Sequence, residues 1–201
     1  MLKRAFDATL AGVGLMISAP LWAIFAAAIR IEDGGPVFYR QSRVGLRGRT
    51  FDALKFRSMH ADAERSTGAI QATERDPRVT RVGRLMRATA MDELPQLLNI
   101  LRGDMSFVGP RALRPGEIET NSDGRLERLE DVPGFEHRIR VRPGLTGLAQ
   151  VYAPRDVRRR QKFKYDRLYV ERRSWCLDLR LILLSFWISL LGRWEVRGPK
   201  C

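Results

Sequence analysis

From Ala8 to Ile29 the chain runs 22 residues without a charge. At about 1.5 Å per residue that is roughly 33 Å of helix, the depth of a bilayer's hydrocarbon core. So much apolar surface must be covered by protein or lipid, and four placements compete. A cleaved leader would have the basic start Lys3 and Arg4 and the small residues of "AIFAAA" near its end. Cleavage would export an arginine-rich domain, however, and Pro20 interrupts the apolar run. A spanning helix meets a charge conflict, because Arg30, Arg40, Arg43, Arg47 and Arg49 follow the segment as closely as Lys3 and Arg4 precede it. Basic residues at both ends give the positive-inside rule two opposite instructions. A buried core helix rarely runs this long without a charge. A re-entrant hairpin removes the conflict. Pro20 lies near the middle, where its ring and missing N–H bend a helix, and Ser18 can bond a freed carbonyl.

The other end of the chain carries a second apolar run. "LILLSFWISLLG", residues 181–192, is too short to span. Its neighbours Trp175, Trp187 and Trp194 suit a membrane interface, and the flanking Arg180 and Arg193 can meet lipid phosphates. A core helix fits the same pattern. Upstream, "RRRQKFKYDRLYVERRSW" has a dense basic face, either solvated or laid on anionic lipid.

The formal net charge of +13 on 201 residues points to a polyanionic partner: nucleic acid, an anionic membrane, or a phosphorylated substrate. With 44% hydrophobic residues the chain can bury a core, so disorder is excluded. Two cysteines, Cys176 and Cys201, make no disulfide framework, which favours a reducing compartment. His60 and His137 lie far apart, and no spacing reads as a structural zinc site.

Between the apolar ends the pattern predicts a mainly helical domain with one small β-hairpin. Val37–Tyr39 and Phe51–Phe56 are the strands, Gly45 and Gly48 mark the turn, and Lys55 and Arg57 share one strand side. Helical signals follow in "MHADAER", "TRVGRLMRAT", "ELPQLLNILRG", over 114–130, and from about 158 to 191, while residues 141–155 read as loop. The expected division is a membrane helix over 1–33, a catalytic domain over 34–176 and an interfacial helix with its tail over 177–201.

Asp92 and Glu93 stand side by side in this basic chain, and like charges in contact disfavour mutual ionisation. One interpretation is local: Asp92 caps a helix, Glu93 and Pro95 fill its first turn, Leu94, Leu97, Leu98 and Leu101 form its buried stripe, and Gly103 ends it. The other is chemical. Arg81, Arg84 and Arg87 recur on one face just upstream, and "GPRALR" follows. Carboxylates set among such cations can hold Mg²⁺ against a diphosphate or attack phosphorus.

Five blocks, "GPVFYRQSRVG", "FDALKFRSM", "DPRVTRVGRLMRATAMDELPQLLNILRGDMSFVGPR", "RPGLTGLAQV" and "DLRLILLSFW", occur in the order seen in bacterial sugar transferases. The chain resembles their minimal catalytic form, the monotopic polyprenyl-phosphate phosphoglycosyl transferases. That resemblance implies transfer of a sugar-1-phosphate from a UDP-sugar to polyprenyl phosphate, usually undecaprenyl phosphate, with UMP released. It implies Asp92 as nucleophile and ligand of Mg²⁺, and Glu93 as its acidic partner. Lys55, Arg57, Arg87, Arg111 and Arg155 become phosphate-binding residues, and Ser18 and Pro20 the break in a re-entrant helix. The expected location is the cytoplasmic face of the inner membrane, against anionic lipid, with pairing of two copies left open. The departures leave the Asp92-Glu93 pair untouched: Ala19-Pro20 for Ser-Pro at the helix break, Ala112 for the second proline of Pro-Arg-Pro, and "YAPR" for "NGR".

Two rival classes are a nucleic-acid-binding protein and a non-catalytic membrane-surface protein. The first lacks any recognisable nucleic-acid module or aromatic stacking platform. The second has no need of an acidic pair among arginines. The identity of the sugar is not encoded in these motifs.

Overall fold

The computed structural model describes residues 2–61, 63, 76–120, 125–154 and 157–194. Helix α1 spans Leu2–Asp33 and carries Pro20 inside it rather than at a gap between two helices. Pro20 leaves the Met16 carbonyl without its usual donor. The Ser18 hydroxyl does not take that role: it points to Leu15 O at 3.4 Å and accepts from Trp22 Nε1 at 3.1 Å.

Both ends of α1 are tied to the same body. At the start, Lys3 Nζ lies 2.6 Å from Asp178. Arg4 donates to the Ile100 and Leu101 carbonyls at 2.6 and 2.5 Å, and Asp7 accepts from Ser106 Oγ at 2.8 Å. At the far end, Glu32 accepts from the Arg81 and Val82 amides at 2.6 and 2.9 Å. Between these anchors one edge packs on the domain, with Ala11 against Leu97 and Ile100 and with Ile29 against Phe56 and Met86. The opposite edge stays bare. Met16 and Ile17 are more than 70% exposed, a poor arrangement in water and a natural one in lipid.

The hairpin pairs β1 (Phe38–Val44) with β2 (Thr50–Phe56) in antiparallel register, Phe38 opposite Phe56 and Val44 opposite Thr50. Gly48 takes a left-handed φ of +77° at the turn. Helix α2 (Arg81–Thr89) starts on Thr80, whose hydroxyl accepts from the Gly83 amide at 2.9 Å. A Cβ at Gly83 would lie 2.0 Å from Ser58 O, so glycine permits the close packing there. Helix α3 (Gln96–Arg102) ends at Gly103, left-handed as the sequence pattern requires. Its buried face is Gln96, Leu97, Asn99 and Ile100, whereas Leu101 is exposed, so the expected leucine stripe is displaced. The interior polar residue is Asn99: its side chain accepts from Leu54 N at 3.0 Å and donates to Asp52 O at 2.8 Å, joining α3 to β2.

Strands β3 (Ser106–Val108) and β6 (Gly144–Thr146) pair in parallel. Their glycines are set by contact, since a Cβ on Gly144 would lie 2.1 Å from Gly109 N. The helix expected over 114–130 is instead a hairpin of β4 (Ile118–Thr120) and β5 (Leu126–Arg128). The β-branched Ile118 and Thr120 lie on alternate positions there, and the segment has no apolar stripe long enough to bury as a helix. Of the helix expected over 59–65, residues 59–61 and 63 are described and none is helical: Met59 forms a bridge with Val79, and the rest lie outside the described residues. The stretch read as loop over 141–155 holds β6 and the short α5 (Leu148–Tyr152). The four-residue α4 (Phe135–Arg138) precedes it.

Two helices close the fold. Helix α6 (Arg159–Arg172) buries Phe163, Asp166 and Tyr169 at a spacing of three. Helix α7 (Trp175–Leu190) begins on Ser174, which caps Leu177 N. The C-terminal apolar run divides into a buried and an exposed face. Leu181 and Ile188 are fully buried, while Leu183, Phe186 and Trp187 are more than half exposed. Trp175 is exposed beside Phe6 of α1, but Trp194 packs inward and donates to Ser189 Oγ.

Candidate active site

Helix α2 ends at Ala90, a non-glycine residue in left-handed conformation with φ 57°. Such a residue costs on the order of 1 kcal/mol, and here it turns the chain into a single 3₁₀ turn, Met91–Glu93. Asp92 caps nothing. The position preceding α3 is Pro95, and no side chain caps that helix. Asp92 is 8% exposed, its carboxylate faces a cavity, and it accepts no hydrogen bond among the described residues.

Glu93 is the opposite case. Its Oε1 takes both Lys55 Nζ at 2.6 Å and Arg111 Nη2 at 2.9 Å. Lys55 comes from β2, opposite Tyr39, and Arg111 from the loop after β3. Burial alone would raise the Glu93 pKa, but Arg111 and Lys55 outweigh it and hold the carboxyl well below the usual range. Burial pushes Asp92 up to about 6, with Lys55 opposing and the Glu93 charge assisting. Burial also lowers the Lys55 pKa, and Glu93 counteracts it. The two carboxylates therefore divide their roles: Glu93 is the fixed anion that organises the cations, and Asp92 is unengaged.

The cavity measures about 850 Å³. Its lining includes the cations Lys55, Arg57, Arg87, Arg111 and also Arg43 and Arg114. It also includes apolar groups, among them Gly14 and Ile17 of α1 and Ile182 and Phe186 of α7. Arg57 is 2.7 Å from Asp33 at the end of α1, so it links that helix to the site. Arg87 reaches the cavity from the last turn of α2. Arg155 lies outside the described residues. Arg43 and Arg138 were not among the expected residues; Arg43 was signalled only by its alternation with Gln41 along β1.

Among the described residues no trio of His, Cys, Asp or Glu side chains gathers as a metal cage. With Glu93 engaged by two cations, Asp92 is the free oxygen donor of the pair. One carboxylate fits Mg²⁺ that takes its other ligands from substrate phosphates and water.

The family model for bacterial sugar transferases matches residues 1–192. The chain belongs to that family. Among related sugar transferases it is 42% identical to the UDP-glucose:undecaprenyl-phosphate glucose-1-phosphate transferase of Caulobacter vibrioides, over 90% of this chain and 67% of that protein. It is 40% identical to the undecaprenyl-phosphate glucose phosphotransferase of Komagataeibacter xylinus, over 95% of this chain but only 36% of that protein. It is 38% identical to the exopolysaccharide production protein ExoY of Rhizobium meliloti, over 96% of this chain and 87% of that protein. The chain thus spans about a third of one relative and most of another.

Proposed function

We propose that this sugar transferase moves a sugar-1-phosphate from a UDP-sugar to polyprenyl phosphate in two displacements. An Asp92 oxygen attacks the β-phosphorus, the bond to the bridging oxygen breaks, and UMP leaves. A polyprenyl phosphate oxygen then attacks the same phosphorus and the Asp92 carboxylate departs, giving polyprenyl-diphospho-sugar. Splitting the reaction lets a hydrophilic donor and a lipid acceptor use one site in turn. The observation that carries this reading is the unengaged buried carboxylate of Asp92, beside a Glu93 held by Lys55 and Arg111.

The relatives named for glucose-1-phosphate transfer support a hexose donor. Asp92 would hold Mg²⁺, which supplies charge neutralisation at the diphosphate. Lys55, Arg57, Arg87 and Arg111 would bind phosphate oxygens, and the apolar lining residues would take the acceptor's lipid. Anchoring of both α1 ends to one body supports re-entry rather than a full span, with the domain on the cytoplasmic face of the inner membrane. The basic α6 supports contact with anionic lipid.

Purified enzyme given UDP-sugar without acceptor should release at most one equivalent of UMP and retain the sugar phosphate. Mass spectrometry should place that adduct on the peptide containing Met91-Asp92-Glu93. An adduct on another residue refutes the assignment.

A further inference from the structure

Four successive carbonyls around Arg111 each accept a hydrogen bond. The Gly144 amide donates to Pro110 O at 2.9 Å and the Val44 amide to Leu113 O at 2.8 Å. Between them, Arg138 Nη2 donates to Arg111 O at 2.5 Å and Arg43 Nη1 to Ala112 O at 2.9 Å. Arg111 is followed by Ala112, so no proline ring restrains the chain after it, and the two guanidiniums do.

Arg138 is itself fixed. It is 6% exposed, its Nε lies 3.2 Å from Asp166 Oδ2, and its guanidinium carbon sits 4.6 Å from the centre of the Phe163 ring. Asp166 and Phe163 belong to α6, far from the Asp92 turn in sequence. A contact chain therefore runs from α6 through Arg138 to the Arg111 main chain, and through the Arg111 side chain to Glu93.

We propose that Arg138 is a positioning residue for the reaction, holding the Arg111 main chain so that its guanidinium stays on Glu93. A free arginine side chain samples many rotamers, and only a fixed point of origin keeps its fork on one oxygen. If Arg111 drifts, Glu93 loses one of its two cations and Asp92 loses nearby positive charge. Arg138 also borders the cavity, so direct contact with substrate is the competing role, and the experiment separates the two.

Arg138→Lys keeps a cation beside Asp166 but cannot hold both Asp166 and the Arg111 carbonyl. The expected result is a folded enzyme with KM little changed and kcat lowered roughly 10- to 100-fold. In an Arg111→Met background, Arg138→Lys should cost less than about twofold more, because the two act as one unit. Losses that multiply, or a raised KM with kcat unchanged, overturn the proposal. Should Arg138→Lys fold poorly, Arg138→Gln with Asp166→Asn leaves no unpaired buried charge and is read by the same cycle. This rests on the transferase reading, so an activity-free measurement accompanies it: amide exchange at residues 111–113 should quicken in the variant. Unchanged exchange overturns the link whatever the enzyme does.

Discussion

Lys55 Nζ lies 2.6 Å from Glu93 Oε1, while the neighbouring carboxylate, Asp92, accepts no hydrogen bond among the described residues. Two adjacent acids are thus differentiated by what reaches them. Glu93 is neutralised by Lys55 and Arg111, and Asp92 is left buried and available.

Asp92→Asn tests the nucleophile and its cost together. The amide is nearly isosteric, so the variant should fold, lose activity by orders of magnitude and form no adduct. It should also be more stable at neutral pH. A carboxyl raised from 3.8 to about 6 on folding contributes no penalty below the lower value and a full one above the upper. Removing it should stabilise by up to about 3 kcal/mol, visible as a higher Tm at pH 7.5 than at pH 4 relative to wild type. An active Asp92→Asn enzyme would remove Asp92 from the reaction.

The pH–rate profile of UMP release should show an acid limb near pH 6, where Asp92 ionises. Lys55 and Glu93 act on it in opposite directions. Lys55→Met should move the limb to higher pH and Glu93→Gln to lower pH, each with reduced kcat. Shifts of the same sign in both variants would contradict the charge assignment.

Metal dependence should be complete. A single carboxylate beside two phosphates needs a cation to neutralise the diphosphate. Excess EDTA should stop turnover, and Mg²⁺ should restore it. Full turnover in EDTA takes the metal out of the mechanism.

Topology is testable with single cysteines in a background lacking Cys176 and Cys201. Leu2→Cys and Arg49→Cys, both at exposed positions, should be protected from an impermeant thiol reagent in intact cells and react after lysis. Labelling of one position alone in intact cells establishes a full span.

Asn99 should matter for stability out of proportion to its size. It is fully buried, and Asn99→Ala leaves the Leu54 amide and the Asp52 carbonyl without partners, costing about 3 kcal/mol. Asn99→Asp should be worse, and more so as pH rises, because it sets a carboxylate against Asp52 O and the Asp104 carboxylate. The check is thermal unfolding in detergent at two pH values. Equal Tm values for wild type and Asn99→Asp would exclude this role.

Much of the fold was legible where its information is contiguous. The hairpin turn at Gly45–Gly48, the α2 start at Thr80, the Gly103 stop and the paired helices near the C-terminus all follow from local chemistry. The expected helix over 114–130 failed because short polar segments have no decisive period, and tertiary pairing of Ile118–Thr120 with Leu126–Arg128 chose the strand. Asn99 was missed for a related reason: a polar residue inside an apolar run gives no local sign that β2 will satisfy it.

By itself the sequence determined that a charge-free segment had to be covered, that a hairpin would carry Lys55 and Arg57, and that Asp92 and Glu93 would lie together. The family resemblance also implied Lys55, Arg87 and Arg111 as cations of that neighbourhood. Only the tertiary structure decided which acid they serve. Lys55 and Arg111 are 38 and 18 residues from Glu93 in sequence, yet they share one of its oxygens. Arg138, 27 residues beyond Arg111, grips its carbonyl. Side-chain charge is a local property, whereas burial and pairing are properties of packing. The difference between an engaged Glu93 and an unengaged Asp92 comes from packing alone.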